Sequence, residues 1–417
     1  MKRSDSREGW LVVAAGFICL TIASGIGWYV FPVYLTTIQA ELGWSMTQLT
    51  LAVTVWALAG AVFSPLAGVW IDKYGPRKVM TIGTVCQIVA TVLIAHMTAP
   101  WHMYILFILS AFASAANTYL PVTTAISQWF DEKRGTALGV ALLGMGFGGI
   151  VIPPLANVFL ERYGWRTGYF IFAFFLLALL VPINLWIRGR PAEDDVIFDD
   201  ENRVDADDSV GQASGPKTPA LGGLSVTEAA RTRSFWALAS GDFLIGIAFT
   251  TVIVNMVAFT THSGISQWSA TIAYSAFLAL TTFGTLFFGA AADKMKVRRL
   301  MIFCYGVPVI AVAFLLYLPS LLFLSLFVII FGMTGGGRNT LWPLALGKCF
   351  GVKHLGAILG WLNIPFMLGN AIGPLLGGYI FDTTGNYRML FWLCVGFSAA
   401  SVAFISRMRA EYPAADS

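Results

Sequence analysis

Apolar residues in this chain fall in continuous runs of 20 to 30, broken by short stretches of glycine, proline and charge, without the one-sided spacing of a helix that keeps a wet face. A run of that length is what an α-helix needs to cross a hydrocarbon core about 30 Å thick at a rise of about 1.5 Å per residue. Read between breakers, the pattern predicts twelve spans, at 10–37, 46–71, 78–98, 101–130, 135–160, 166–188, 235–261, 268–292, 299–318, 320–349, 354–381 and 388–408. One long polar segment, 189–234, parts six spans from six. It reads PAEDDVIFDDENRVDADDS and then GQASGPKTPALGG, acidic first and Gly/Pro/Ser-rich after, the composition of a largely disordered linker. The expected organisation is an N-terminal six-helix bundle over 1–188, this linker, a C-terminal six-helix bundle over 235–409 and a tail over 410–417. MKRSDSREGW leads into the first run with no small-residue cleavage site, so the first run is read as a helix that stays and not as a removed signal.

Composition narrows the class. Of 417 residues 57% are hydrophobic and 12% charged, against roughly a quarter charged in soluble domains. The segments of about ten alternating residues that mark a β-barrel are absent, so the fold expected is an all-α integral membrane protein. The net charge of +4 reports topology, and nucleic acid is not implied. Counted by side, 22 of the 26 Lys and Arg residues fall at the termini and in the loops on the side of the termini. Three, Arg162, Arg166 and Arg388, fall on the other side. Both termini are therefore expected in the cytoplasm, with the protein in the cell (inner) membrane as a monomer. One basic residue, Arg338, is left inside a span. Cys19, Cys86, Cys304, Cys349 and Cys394 lie in or beside apolar runs without metal-ligand spacing and read as free thiols, and four histidines are too few for a metal cluster. With no Walker loop and no strand-borne Rossmann glycines, neither ATP drive nor an enzyme is supported, and no cofactor is expected.

The chain also repeats itself. GVWIDKYGPRK at 68–78 and GAAADKMKVRR at 289–299 match at one offset, 221 positions, which pairs Gly68 with Gly289, Asp72 with Asp293 and Arg77 with Arg298. The same shift carries Gly360, Gly369, Gly373, Pro374, Gly377 and Gly378 of span 11 onto Gly139, Gly148, Ile152, Pro153, Ala156 and Asn157 of span 5, a decayed copy. RYGWR at 162–166 matches TTGNYR at 383–388 with one residue inserted. Two halves of like architecture and like orientation are the signature of parallel repeats.

Twelve spans as six plus six, the long central loop, and G-x3-D-x2-G-x-[RK]-[RK] at Gly68, Asp72, Gly75, Arg77 and Lys78 resemble the major facilitator superfamily. In the second half the loop is partly decayed, with Lys296 in place of the glycine. EGWLVVAAGF, WFDEKRGTALG, YGWRTGYF and GYIFDTTGNYR are similar more narrowly to the bacterial monocarboxylate and oxalate:formate branch. The resemblance implies alternating access, with the loop residues, Asp293 and Arg298 included, acting as conformational locks, and a substrate cavity lined by spans 1, 4, 7 and 10. Positive-inside anchoring is the competing reading of Lys73, Arg77 and Lys78. Relatives in that branch commonly carry an arginine in span 8, where this chain has Gly284 and Thr285, so an anion site built on that arginine is absent here.

That leaves GGGRNT at 335–340. A guanidinium in hydrocarbon costs from about 3 to more than 10 kcal/mol depending on the reference, so Arg338 calls for compensation or a function. Its mate at the 221 offset is Asn117, and the two are expected to face each other near mid-membrane. On one reading Arg338 holds a carboxylate through two parallel hydrogen bonds with Asn117 assisting. On another it forms a permanent pair with Asp242, the acid lying well inside span 7. A third joins them: Asp242 pairs with Arg338 in the empty carrier and takes a proton when substrate claims the arginine. Gly335 to Gly337 read as close helix packing and not as an anion nest. Trp28, Tyr29, Tyr119, Asn255, Trp342 and Asn363 are further candidates to line the site, against interfacial belts as the commoner use of aromatics. His262 reads as a surface residue, and Asp382 with Arg388 and Glu161 with Arg162 as outer-loop pairs. The functional expectation is a secondary carrier of a small carboxylate, with protons or a counter-anion as the coupled species and the bilayer as its setting. The alternatives are an efflux carrier for hydrophobic or cationic compounds, which the GP-x2-GG pattern of span 11 would suit better in span 5, and a membrane sensor.

Overall fold

The computed structural model describes residues 7–130, 134–186, 223–317, 320–351 and 355–409, except for the side chains of a few, Asp72 and Asp293 among them. The expected linker up to residue 222 and the tail 410–417 lie outside that set. Among the described residues fifteen α-helices follow in order. In the first half they are α1 (Arg7–Ser24), α2 (Val30–Leu42), α3 (Met46–Tyr74), α4 (Pro76–Ile94), α5 (Pro100–Asn117), α6 (Tyr119–Trp129), α7 (Arg134–Phe175) and α8 (Val181–Trp186). In the second they are α9 (Val226–Ala230), α10 (Arg233–His262), α11 (Gln267–Lys294), α12 (Val297–Phe314), α13 (Leu321–Phe350), α14 (Leu355–Thr384) and α15 (Arg388–Ile405).

Eleven of the helical stretches among the described residues are long and apolar enough to cross a membrane, one of them a 49-residue stretch, Ala137–Leu185. That stretch is two crossings. Gly164, with φ 77° and ψ 165°, turns the chain back inside α7, a backbone state closed to residues with a side chain. Twelve crossings result, with the turn in the middle of the predicted RYGWR loop. Gly75 makes the same reversal between α3 and α4 with φ 80° and ψ 156°, and Pro76 starts the next helix where its missing N–H costs nothing.

Three crossings are interrupted, one of them by the π-helical turn Leu176–Leu180 between α7 and α8. A π-helical turn, Gly25–Tyr29, joins α1 to α2, and Thr118, with φ −115° and ψ −118°, parts α5 from α6 directly after Asn117. Wide turns of this kind free backbone geometry mid-helix and recur at functional sites.

The halves are locked at the end remote from the termini. Asp382 on α14 accepts hydrogen bonds from the amides of Met46 (2.9 Å) and Thr47 (2.7 Å), capping α3 across the interface. Thr54 donates to the Ala371 carbonyl, Gln267 to the Val33 carbonyl (2.8 Å) and Thr271 to Asn157 (3.4 Å). Toward the termini the same helices meet open space: a Cβ placed on Gly60 or Gly68 of α3, Gly139 of α7 or Gly360 of α14 would find no atom within 4 Å.

Three expectations change here. Asp382 serves as a cap for α3 and not as a partner of Arg388. Glu161 accepts from Asn157 (2.7 Å) one turn earlier and not from Arg162, while Arg166 pairs with Glu41 and lies over Trp165. The last part of the expected linker is ordered: Leu224 donates to the Phe350 carbonyl (2.8 Å), Ser225 and Glu228 form a capping box on α9, and Ala229 is buried against the second half. The apolar run fixed the linker's end at 234, because α9 is too short and polar to register as a span.

Candidate functional site

A cavity of about 440 Å³ lies between the halves, lined by residues from the inner stretches of the crossings. The π-helical turn of the first crossing delivers Trp28 and Tyr29 into it. Trp28 donates from Nε1 to Ser114 Oγ (3.1 Å) and packs edge-on against Trp56, which fixes its indole as a wall. Tyr29 meets Tyr274 of α11 edge-on across the two halves, with ring centres 6.4 Å apart. Polar groups are few and spread: Gln87, which donates to Ser110 (3.4 Å), Thr250 and Asn370, which bond each other, and Asn339.

Arg338 enters this cavity from α13. Its guanidinium is sandwiched between Phe366, 4.4 Å from the ring centre, and Phe249, 4.8 Å away. Each contact of this kind contributes about 0.5–2 kcal/mol. Asp242 of α10 stands 3.8 Å from Nη1, an ion pair too long to be a hydrogen bond, and its Oδ1 instead accepts from Tyr305 of α12 at 2.9 Å. Both charged residues are buried, at 6% and 5% exposure. The arginine thus has charge balance and aromatic faces, yet none of its five N–H donors meets an acceptor among the described residues. Its donors are available to the cavity.

The three glycines before it let α13 close on its neighbours. A Cβ on Gly336 would stand 1.9 Å from the Thr281 carbonyl oxygen of α11, one on Gly337 2.5 Å from Phe288, and one on Gly335 2.9 Å from Phe249, the ring that supports the guanidinium. None of the three has positive φ, so close packing accounts for them.

Of the residues expected at the site, the structure brings together Arg338, Asp242, Trp28 and Tyr29. Asn117 is placed elsewhere. It is the positional mate of Arg338, since Ala116 packs on Gly83 as Gly337 packs on Cys304, both pairs related by 221. That position points into its own half, where the side-chain oxygen Oδ1 of Asn117 accepts from Cys19 and Asn184 (both 3.5 Å) and Asn184 also donates to Thr84 (2.6 Å). The long arginine reaches the cavity from there and an asparagine cannot. Tyr119 is half exposed beyond the Thr118 break. Asn255 is buried against the Thr251 carbonyl, Trp342 packs into the apolar cluster near the terminal face, and Asn363 is exposed on α14. None of these five lines the cavity.

Of the loop residues, Lys73, Arg77 and Lys78 are exposed, and Arg298 donates to the Ser406 carbonyl at the end of α15 (2.6 Å). The side chains of Asp72 and Asp293 lie outside the described residues. Sequence reasoning missed Gln87, Phe249, Tyr274, Phe366, Asn339 and Asn370. Asn339 adjoins Arg338 and was within reach, and Phe249 lies two helical turns from Asp242 on the same helix. The others sit on crossings outside the four presumed to line the cavity.

Comparisons with known proteins fit this architecture. The family model described as Major Facilitator Superfamily matches residues 17–342 and again 238–416. Mouse monocarboxylate transporter 12 is 23% identical over 446 residues, covering 99% of this chain and 90% of that protein. A riboflavin transporter of Trypanosoma brucei brucei, RibJ, is 30% identical over 209 residues, 48% of this chain and 38% of its own length. Among solved structures, a bacterial homologue of the human lysosomal transporter Spinster in an inward-facing, unoccupied conformation superposes with a TM-score of 0.71 at 16% identity, over 97% of this chain and 95% of that one. With its apolar crossings, paired halves and two family matches that together span nearly its whole length, this multi-pass membrane protein belongs to the Major Facilitator Superfamily.

Proposed function

We propose that the protein is a secondary active transporter of a small organic anion of the monocarboxylate type, with Arg338 as the carboxylate anchor. The observation that carries this reading is the guanidinium held between Phe249 and Phe366 with its donors unused, facing a cavity between the halves. A carboxylate accepts two parallel N–H bonds from such a fork. Asn339, Asn370 and Gln87 offer hydrogen bonds to other polar atoms of the substrate, and Trp28, Tyr29 and Tyr274 offer an apolar bed for its carbon skeleton. The closed end remote from the termini and the open helix ends near them support a carrier at rest with its cavity facing the terminal side, in the cell membrane with both termini in the cytoplasm.

Asp242 supplies the coupling. In the empty carrier it balances Arg338; when substrate takes the guanidinium, a buried carboxylate that has lost its counter-charge takes up a proton, so anion and proton move together. Anion exchange uses the same site without that proton. Alternating access then reverses which end is closed. The similarity to a monocarboxylate transporter supports the anion, and the aromatic walls with the partial similarity to a riboflavin transporter favour a second reading, a carrier of hydrophobic compounds in which the Asp242–Arg338 pair stays closed.

Uptake of radiolabelled monocarboxylates into proteoliposomes separates the two. Under the first reading Arg338→Gln abolishes uptake while size-exclusion profile and melting temperature stay near wild type, and Arg338→Lys, which keeps charge and loses the fork, recovers only a minor part. Uptake that survives Arg338→Gln sinks the first reading and leaves the second.

A further inference from the structure

On the terminal face, away from the cavity, a cleft of about 890 Å³ is lined by five arginines: Arg231, Arg233, Arg298, Arg407 and Arg409. We propose that this cleft is a binding site for the phosphodiester headgroup of an anionic phospholipid in the membrane surface on that side.

The cleft is built, not a chance gathering of loop charges. Its floor is the start of α10, where Thr232 caps the helix by accepting from the Phe235 amide (3.2 Å). Ser234 ties that start to the end of the chain's last crossing, donating to the Arg409 carbonyl (3.3 Å) and accepting from the Arg409 amide (3.1 Å). Arg298 of α12 closes the third side with its bond to the Ser406 carbonyl. Three crossings that are far apart in sequence are thereby held so that their guanidinium groups converge. All five are exposed, and among the described residues no carboxylate lines the cleft or pairs with them. Like charges gathered this way repel one another, so the arrangement calls for an anion.

Positive-inside bias accounts for the number of basic residues on this face but not for their convergence on one cleft. Trp236 supplies the second, independent observation. It lies on the cleft wall with 63% of its surface exposed, and its Nε1 donates to the Ala230 carbonyl (2.9 Å), which fixes the ring outward. An indole held at that level suits the boundary between headgroups and acyl chains. Phe404 beside it extends the apolar rim. A basic pocket between crossings, with an interfacial aromatic at its edge, matches a lipid phosphate with its glycerol and upper acyl chain better than a soluble phosphate, which would use the arginines and leave the indole idle.

The test uses the full chain in nanodiscs of phosphatidylcholine containing a minor fraction of chain-brominated phosphatidylglycerol, or of brominated phosphatidylcholine as control. The signal is the Trp236 fluorescence, taken as wild type minus Trp236→Phe. Brominated phosphatidylglycerol is expected to quench it well beyond its share of the lipid, and each arginine removed among Arg231→Gln, Arg233→Gln and Arg407→Gln to weaken that preference about fivefold. Inorganic phosphate in excess is expected to leave the quenching unchanged. Equal quenching by the two brominated lipids overturns the proposal, as does full displacement by inorganic phosphate, which would assign the cleft to a soluble anion. Should any of these variants fail to fold, the Arg233→Gln and Arg233→Lys pair decides: a preference indifferent to both counts against a headgroup site.

Discussion

The two halves place different chemistry at one and the same position of a shared scaffold. In the first half Asn117, Thr84, Cys19 and Asn184 form a neutral, buried polar cluster that bonds to itself. In the second, the equivalents of Asn117 and Thr84 are Arg338 and Tyr305, joined by Asp242. Neutral partners are short and bond to one another inside the half, with only Asn117 Nδ2 left without an acceptor among the described residues. The charged Arg338 is long, makes no hydrogen bond among the described residues and reaches the cavity. On the proposed reading, this asymmetry of charge on a symmetric frame gives the carrier a one-sided anchor.

The comparison breaks most visibly at Asp242. Asp242→Leu strands a guanidinium that cannot lose its proton, whereas Arg338→Gln strands a carboxyl that can gain one and keeps Tyr305 as a donor. The first is therefore expected to destabilise by about 3–5 kcal/mol, the cost of halving a buried pair, and the second by much less. Thermal unfolding in detergent measures both. The double variant Asp242→Leu/Arg338→Leu should regain most of the lost stability and transport nothing. Equal losses for the two single variants would mean that the pair is screened by cavity water. The milder Asp242→Asn addresses coupling: it should abolish accumulation driven by a pH gradient and retain counterflow exchange, and unchanged accumulation in proteoliposomes would remove Asp242 from the proton path.

A smaller contrast lies two residues before the arginine. Gly336 has no room for a Cβ because the Thr281 carbonyl stands where it would go, while the first half carries Ala115 at the matching position. Exchanging them should be lopsided. Gly336→Ala must push α13 off α11 and is expected to cost about 3 kcal/mol, at the upper end for overpacking because a backbone atom blocks the site. Ala115→Gly only adds chain freedom and should cost about 0.5–1 kcal/mol. Similar costs for the two, by denaturant or thermal unfolding, would show that the halves pack alike at this level.

How much of this could be read from the chain depended on which physics set each feature. Hydrocarbon thickness sets the length of every crossing, so the spans and the six-plus-six division were legible, and the 221 offset survives in the geometry at Gly83 with Ala116 and Cys304 with Gly337. Burial cost made Arg338 conspicuous and its depth pointed to Asp242. The repeat identified the mate of Arg338 but not the direction in which the mate points, because two helices can hold equivalent positions and differ in side-chain reach. Tyr274, Phe366 and Asn370 were not legible: their role depends on how the halves are apposed, which no local pattern encodes. The turn at Gly25–Tyr29 was equally silent, since the chain around it remains helical and apolar.

The finest contrast is at the closed end. Asp382 and Glu161 are equivalent by the same offset, yet Asp382 reaches across the interface to two free amides of α3, while Glu161 bonds only to Asn157, whose own reach to Thr271 is 3.4 Å. A charged cap on a helix start contributes about 1 kcal/mol. Removing its charge in Asp382→Asn should therefore shift the balance between closed and open at this end by roughly fivefold, since the cap exists only when the halves meet there. Glu161→Gln keeps an acceptor for Asn157 inside one helix and should shift it little. Spin labels on α3 and α14 near this end, read by pulsed electron resonance in nanodiscs, would report the two populations. A broader distance distribution for Asp382→Asn, with an unchanged one for Glu161→Gln, is the expected pair of results. The reverse pair would move the latch from the α3–α14 contact to the α7–α11 contact, and with it the helix pair that must part first when the cavity opens to the other side.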